Sequence, residues 1–173
     1  MQNVEHETIP KPELMLPQDV RQKLEQFGIV EYCRALDEGR LEDWPDFFTE
    51  DAFYRIIDRR NFDRGLPLGV VYCDGRGMIQ DRAYAIAKVL TYAPRYVRHY
   101  VTNFRIVSVD NDGSIRAEAN YLLAQTIAGQ KTTLYQAGRY IDRYVRSHSG
   151  FLLKERNCVY DSTIIDTDIV IPV

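Results

Sequence analysis

The segment YAPRYVRHYVTN, residues 92–103, sets Arg95, Arg98, His99 and Asn103 among alternating tyrosines and valines, just after Pro94. Arginine and histidine beside β-branched and aromatic residues mark polar side chains entering a strand from a loop. Histidine titrates near neutral pH, so His99 is the natural proton carrier of the chain. Tyr54, Asp37 and Asp51 fall on elements that could line the same cavity. With His99, one of these carboxylates would make a dyad and Tyr54 a polarising hydroxyl. A dehydratase or isomerase needs only such groups, because proton transfer uses no cofactor. The same residues have a second reading: Arg98, His99 and Asn103 as structural polar ties that fix a strand start. Both readings stand on the residues alone.

Other chemistries find less support. A two-histidine, one-carboxylate iron site needs two histidines. The chain has His6, His99 and His148, with His6 near the N-terminus and His148 in the hairpin SHSG. Convergence of either with His99 is not expected. A Rieske cluster needs two cysteines and two histidines, and no cysteine here is closely followed by a histidine. No metal or cofactor site is expected on this chain. Gly75-Arg76-Gly77 lacks the spacing of a dinucleotide loop and has no phosphate-binding lysine. No GxSxG occurs. Cys33, Cys73 and Cys158 are odd in number and far apart, which suits small buried hydrophobes. Asp161, Asp166 and Asp168 alternate with apolar residues. They are expected to cap turns in a tail that docks on a neighbouring subunit, rather than to hold a metal.

The elements that must position these residues follow from patterning. The chain has 173 residues, enough for one domain. Residues 1–17 read as an extended N-terminal arm and residues 18–173 as a single domain. A helix is expected from Pro17 to Gly39, with Val20, Leu24, Phe27 and Val30 as its core stripe. A short helix over Leu41–Phe48, a turn at Thr49–Asp51, and strands at Ala52–Asp58 and Gly65–Cys73 follow, then a helix over Gly75–Leu90 that Pro94 closes off. The last third is β-rich: Tyr96–Val109, Ile115–Ile127, Thr132–Arg146 and Phe151–Tyr160, separated by hairpin sequences. Helices first and an antiparallel meander after predict an α+β fold, a curved antiparallel sheet wrapped around N-terminal helices. Ala117, Ala119, Tyr121, Leu123 and Gln125 fall on one face, and the small ones let the sheet curl into a cone with one open mouth.

Composition narrows the partners. The net charge is −3 and the basic residues never form a run, which argues against nucleic acid. No apolar stretch approaches the ~20 residues of a membrane span. The first residues lack the basic and apolar regions of a signal peptide, so a cytoplasmic location is expected. Twelve tyrosines against one tryptophan suit protein interfaces or half-buried strands.

From about Val20 to Val173 the chain resembles the small (beta) subunits of the bacterial aromatic-ring-hydroxylating dioxygenases. The resemblance rests on EYCRALDEGRLEDWPDFFTEDAFYRI, with Tyr32, Leu36-Asp37, Trp44, Phe48, Asp51 and Tyr54 in the family's pattern. Asn61, YCDGRGMIQDR, YAPRYVRHYVTNF, YQAGRYIDRY, Gly150 and KERNCVYDSTIIDTDIVIPV continue it in order. Residues 1–19 follow no such motif. The resemblance implies a cone like that of nuclear transport factor 2 and a trimer of this chain beneath a trimer of alpha subunits. It implies that the alpha subunit carries the Rieske [2Fe-2S] cluster and the mononuclear Fe(II), fed from NAD(P)H through a reductase. This chain would then be a structural, non-catalytic subunit. The wider superfamily also holds acid–base lyases and isomerases, so the alternative use of His99, Tyr54 and Asp51 stays open here.

Overall fold

The computed structural model describes residues 18–148, 150–162 and 168–173. The expected arm, His6 and Asp166 lie outside the described residues. The first helical run begins as α1 (Gln18–Glu25), passes through a π-helical segment (Gln26–Glu31) and continues as α2 (Tyr32–Asp37). The wider π turn rotates the buried face. Val20 and Leu24 are inward in α1, but Gly28 and Ile29 are buried next, and Val30 is exposed. Tyr32, Cys33, Ala35 and Leu36 then continue the inner face. The expected stripe through Val30 therefore fails at the π turn.

The expected helix over Leu41–Phe48 is a single 3-10 turn, Trp44–Phe47, with Pro45 in its first turn. Strand β1 (Phe48–Asp58) starts at once and absorbs the expected turn at Thr49–Asp51. Aromatic packing explains the switch: Trp44 meets both Phe48 and Tyr54 edge-on, at 5.8 and 5.1 Å between ring centres. A short helix absent from the sequence reading, α3 (Arg59–Asp63), follows, capped by the Asp58 carboxylate on the Arg60 and Asn61 amides. Strand β2 is only Val71–Asp74. α4 (Arg76–Tyr84) again runs into a π segment, Ala85–Val89.

The remaining strands are β3 (Arg95–Val109), β4 (Ile115–Ile127), β5 (Thr133–Ser147) and β6 (Gly150–Tyr160). They match the expected runs to within a residue at each end, because each is bounded by turn residues. The sheet order is β2-β1-β6-β5-β4-β3. Four of its five pairings are antiparallel, but β1 runs parallel to β6, so the sheet is mixed rather than wholly antiparallel. Register irregularities occur in β1–β6, β3–β4, β4–β5 and β5–β6. Such bulges bend and twist strands, which is how a long sheet curls around helices. One of them seats Asn103 at a φ of 57°, the one described non-glycine residue with a positive φ. The inner face carries Ala117, Ala119, Tyr121 and Leu123 of β4 against Tyr140 and Tyr144 of β5 and Leu153 and Cys158 of β6. The helices close it from one side.

Candidate functional site

His99 lies on β3, an edge strand, where α2 ends against it. The His99 side chain is fully buried, and its Nδ1 sits 2.6 Å from Asp37 Oδ1. The His99 main-chain N–H also donates to both Asp37 oxygens, at 3.2 Å each. The carboxylate caps an outward-facing backbone group of the edge strand while it fixes the ring. The bond to Asp37 occupies Nδ1, which leaves Nε2 as the other ring nitrogen. Nε2 is buried and has no partner among the described residues. Arg98, exposed at the surface, donates to the Asp37 carbonyl at 2.7 Å. A cation on the last turn of a helix is favourably placed against its dipole. Ile29, Val30, Cys33, Arg34 and Val101 complete an open groove of about 460 Å³ around this corner.

The other residues considered for acid–base work lie elsewhere. Tyr54 is fully buried, and its hydroxyl is engaged with the Val173 main chain, donating to its oxygen at 3.2 Å and accepting from its N–H at 3.0 Å. Burial, with Cys158 and Tyr32 nearby, pushes its pKa well up. Asp51 is an exposed carboxylate held by Thr49 and by Lys154 at 3.1 Å. Asn103 is exposed at the β3 bulge and acts through its backbone conformation. His148 is exposed in the β5–β6 turn. Among the described residues no three His, Cys, Asp or Glu side chains group as metal ligands. The structure thus joins His99 with Asp37 and Arg98, and leaves Tyr54 and Asp51 apart from them.

The polar heart of the cone is a residue that sequence reading passed over. Arg156, completely buried on β6, faces Asp142 directly across the β5–β6 ladder. It binds the carboxylate through two bonds, Nε to Oδ1 at 2.9 Å and Nη2 to Oδ2 at 2.7 Å. Nη2 also donates to the Gly28 carbonyl at 2.9 Å, and Tyr144 donates to Asp142 at 2.7 Å. The guanidinium is sandwiched between the Tyr32 and Tyr140 rings, 4.0 and 4.3 Å from their centres. Burial alone would lower the arginine's pKa, but the Asp142 charge and its neighbours outweigh that, and the net shift is upward. The signal was present: along β5 every second residue from Gln136 to Tyr144 is buried, and Asp142 is a charge in that inward phase.

Beside this pair the chain folds back on itself. Asp168 and Ile169 are held by their carbonyls, from Arg95, Tyr135 and Arg82. Val173 is fully buried, and its oxygen accepts from Tyr32, Tyr54 and Cys158. The sequence reading had this tail dock on a neighbouring subunit, with its aspartates capping turns. Residues 168–173 instead pack into their own cone, because Val170 and Val173 find their apolar cover there, and Asp161 pairs with Arg59 at 3.2 Å. All three cysteines are free and buried, and burial raises the Cys33 thiol to about 12.

The description "Ring hydroxylating beta subunit" matches residues 32–167, most of the chain. The chain belongs to the beta-subunit family of the ring-hydroxylating dioxygenases. It is 37% identical to the anthranilate 1,2-dioxygenase small subunit of Burkholderia cepacia, over 82% of this chain and 88% of that one. It is 29% identical to the beta 2 subunit of the terephthalate 1,2-dioxygenase terminal oxygenase of Comamonas sp, over 82% of this chain and 91% of that one. A crystal structure of a chain assigned as a dioxygenase beta subunit from Novosphingobium aromaticivorans superposes with a TM-score of 0.80 at 38% identity, covering 90% of this chain and 98% of that one. The same α+β cone is shared at 16% identity with a chain assigned as a scytalone dehydratase, at a TM-score of 0.65 over 87% of this chain and 89% of that one, a likeness of fold alone. As a family member, this chain is the small subunit of an aromatic-ring dioxygenase, an oxidoreductase complex in which it pairs with an alpha subunit.

Proposed function

We propose that this beta subunit is non-catalytic and serves to hold together a cytoplasmic α3β3 oxygenase. The observation that carries this reading is the filled cone. Where a ligand would sit, the chain places Arg156 with Asp142, a shell of tyrosines and its own Val173. The Rieske cluster and the mononuclear iron belong to the alpha subunit, which draws electrons from NAD(P)H through a reductase. Residues 18–173 act as one domain in this assembly, and Arg98, His99 and Asn103 serve the strand start and bulge. The named relatives are parts of anthranilate and terephthalate dioxygenases, and the substrate of the present complex is accordingly an aromatic carboxylic acid. Co-expression with the alpha subunit tests this directly. A purified complex with equal numbers of the two chains, iron and an oxygenase activity on benzoate-type acids is expected. A chain that stays free of any alpha partner, or that carries stoichiometric iron alone, would refute it.

A second reading has one observation in its favour. Asp37 orients His99 at the wall of a groove, and the buried Nε2 has no partner among the described residues, a carboxylate–imidazole pairing of the kind a general base uses. His99→Ala separates the two. Turnover of a small hydroxy-aromatic by the isolated chain, abolished in His99→Ala, would establish a stand-alone lyase. Loosened assembly without any such turnover supports the scaffold.

A further inference from the structure

Loop 65–70 joins α3 to β2 and turns its apolar residues to solvent. Leu68 is 71% exposed and Val70 55%, and Leu66 and, in β2, Tyr72 are exposed beside them. Apolar residues scattered singly over a surface need no account, but a cluster of them marks a contact surface. The loop is pinned from below. Leu66 N–H donates to the Asn61 oxygen at 2.9 Å, Asn61 Nδ2 to the Leu68 oxygen at 3.3 Å, and Val70 N–H to the Ile56 oxygen at 2.9 Å. Gly69 lies so close to β1 that a Cβ there would come 2.7 Å from the Ile56 oxygen and 2.9 Å from Arg55 Cγ. A loop already fixed in place loses little entropy when a partner covers it.

Beneath the loop stands an arginine without a carboxylate. Arg55, on the outer face of β1, has its guanidinium 5.4 Å from the Phe53 ring centre and 5.7 Å from that of Phe62, and Tyr72 meets Phe53 edge-on at 5.1 Å. Among the described residues its one hydrogen bond runs from Nε to Asn157 Oδ1, at 3.0 Å. Burial holds its pKa below the usual arginine value, and the charge of Glu155 offsets only part of that. The arginines nearby differ: Arg59 pairs with Asp63 and Asp161, Arg60 with Asp58, and Arg139 with Asp63. The local acids are thus taken, and Arg55 keeps both Nη groups for an incoming carboxylate, which a guanidinium can hold through two bonds.

We propose that loop 65–70, with Tyr72, Phe53 and Arg55, is the surface on which the alpha subunit docks. The partner brings an apolar patch to Leu66, Leu68, Val70 and Tyr72, and a carboxylate to Arg55. A second copy of this chain fits less well: at the other edge of the sheet its exposed Tyr96 and Tyr100 flank Arg98, which would set guanidinium against guanidinium. The proposal rests on the reading of this chain as a structural subunit that holds an alpha partner.

Hydroxyl-radical footprinting of the free chain and of the co-expressed complex reads the surface directly. Leu66, Leu68 and Tyr72 should label at least about tenfold more slowly in the complex. Leu68→Asp, at a side chain that lies mostly outside the fold, should leave the thermal midpoint of the free chain unchanged. It should raise the dissociation constant for the alpha subunit at least about thirtyfold, read by sedimentation of the complex. Arg55→Gln should raise it at least about tenfold, and Arg55→Lys should recover only part of that, because lysine keeps the charge but not the fork. Loop labelling as fast in the complex as in the free chain, or full alpha binding by Leu68→Asp, would overturn the proposal and leave the structural reading intact. Loss of self-association with alpha binding kept would make the patch a contact between copies and overturn it too. An unaltered chain that takes up no alpha subunit would overturn the structural reading, and the proposal with it.

Discussion

At the residue scale, Arg156 and Asp142 dominate the interior. Both are buried, so removing one leaves the other charge without compensation, a loss of ~3–5 kcal/mol. Arg156→Ala should therefore unfold at markedly lower denaturant concentration. Arg156→Met combined with Asp142→Leu should recover much of that loss, because the pair itself gains little over well-packed apolar groups. Equal midpoints for the single and double variants in urea would show that the pair is not coupled. The cysteines give a second prediction. Burial lifts the Cys33 and Cys158 thiols far above neutral pH, and the thiolate is the reactive form. The native chain should leave both unlabelled by a disulfide reagent at pH 8, with rapid labelling in denaturant. His99 was legible as a polar residue entering a strand, but its partner was not, since Asp37 and Asp51 are equally near in pattern. Only the end point of α2 brings Asp37 to the β3 edge.

Elements are where local sequence and tertiary packing part company. The four long strands could be read from their turns, because hairpin residues fix strand ends whatever the core does. Two helical runs, Gln18–Asp37 and Arg76–Val89, were legible in extent, but the buried face of the first was not, since the π turn shifts it off the regular hydrophobic period. Gly28, within the π segment, leaves no room for a side chain: a Cβ there would lie 2.2 Å from the Tyr144 hydroxyl, which is itself pinned to Asp142. Gly28→Ala should cost ~1–3 kcal/mol by overpacking, read as a lowered thermal midpoint. At the β3 bulge, Asn103→Val should destabilise by ~1–2 kcal/mol, whereas Asn103→Gly should be neutral or better. The β3–β4 turn has its own acid sensitivity. A hydrogen bond from Arg116, aided by Arg143 and Ser114, holds the Asp110 carboxyl below its usual 3.8, and hydrogen bonds from Ser114 do the same for Asp112. Depressed values mean that the bound, ionised forms stabilise the fold above the ordinary pKa. That contribution fades as the pH falls below about 4, through the folded-state values. Arg116→Ala should flatten the acid limb of a stability–pH profile.

At the scale of the whole molecule, the sheet order places β6 between β1 and β5, so neighbours in the sheet are remote in the chain. Tyr54 of β1 lies opposite Arg156 of β6. Such long-range pairing closes loops at high entropic cost and slows folding. The resemblance of sequence motifs carried the cone fold further than the element pattern did, because the parallel β1–β6 contact has no local signature. During synthesis the consequence is a delay. Made at ~5–20 residues per second, β1 must wait ~5–20 s for the strand that will cover its open edge. Over that interval the only strand pairing available to it is the four-residue β2. Nascent chains halted before Gly150 should therefore be cut readily within Phe48–Asp58 and be held by chaperones, while chains extended past Tyr160 resist both. The strand that completes the sheet is thus also the timer that decides when this subunit first becomes safe to release.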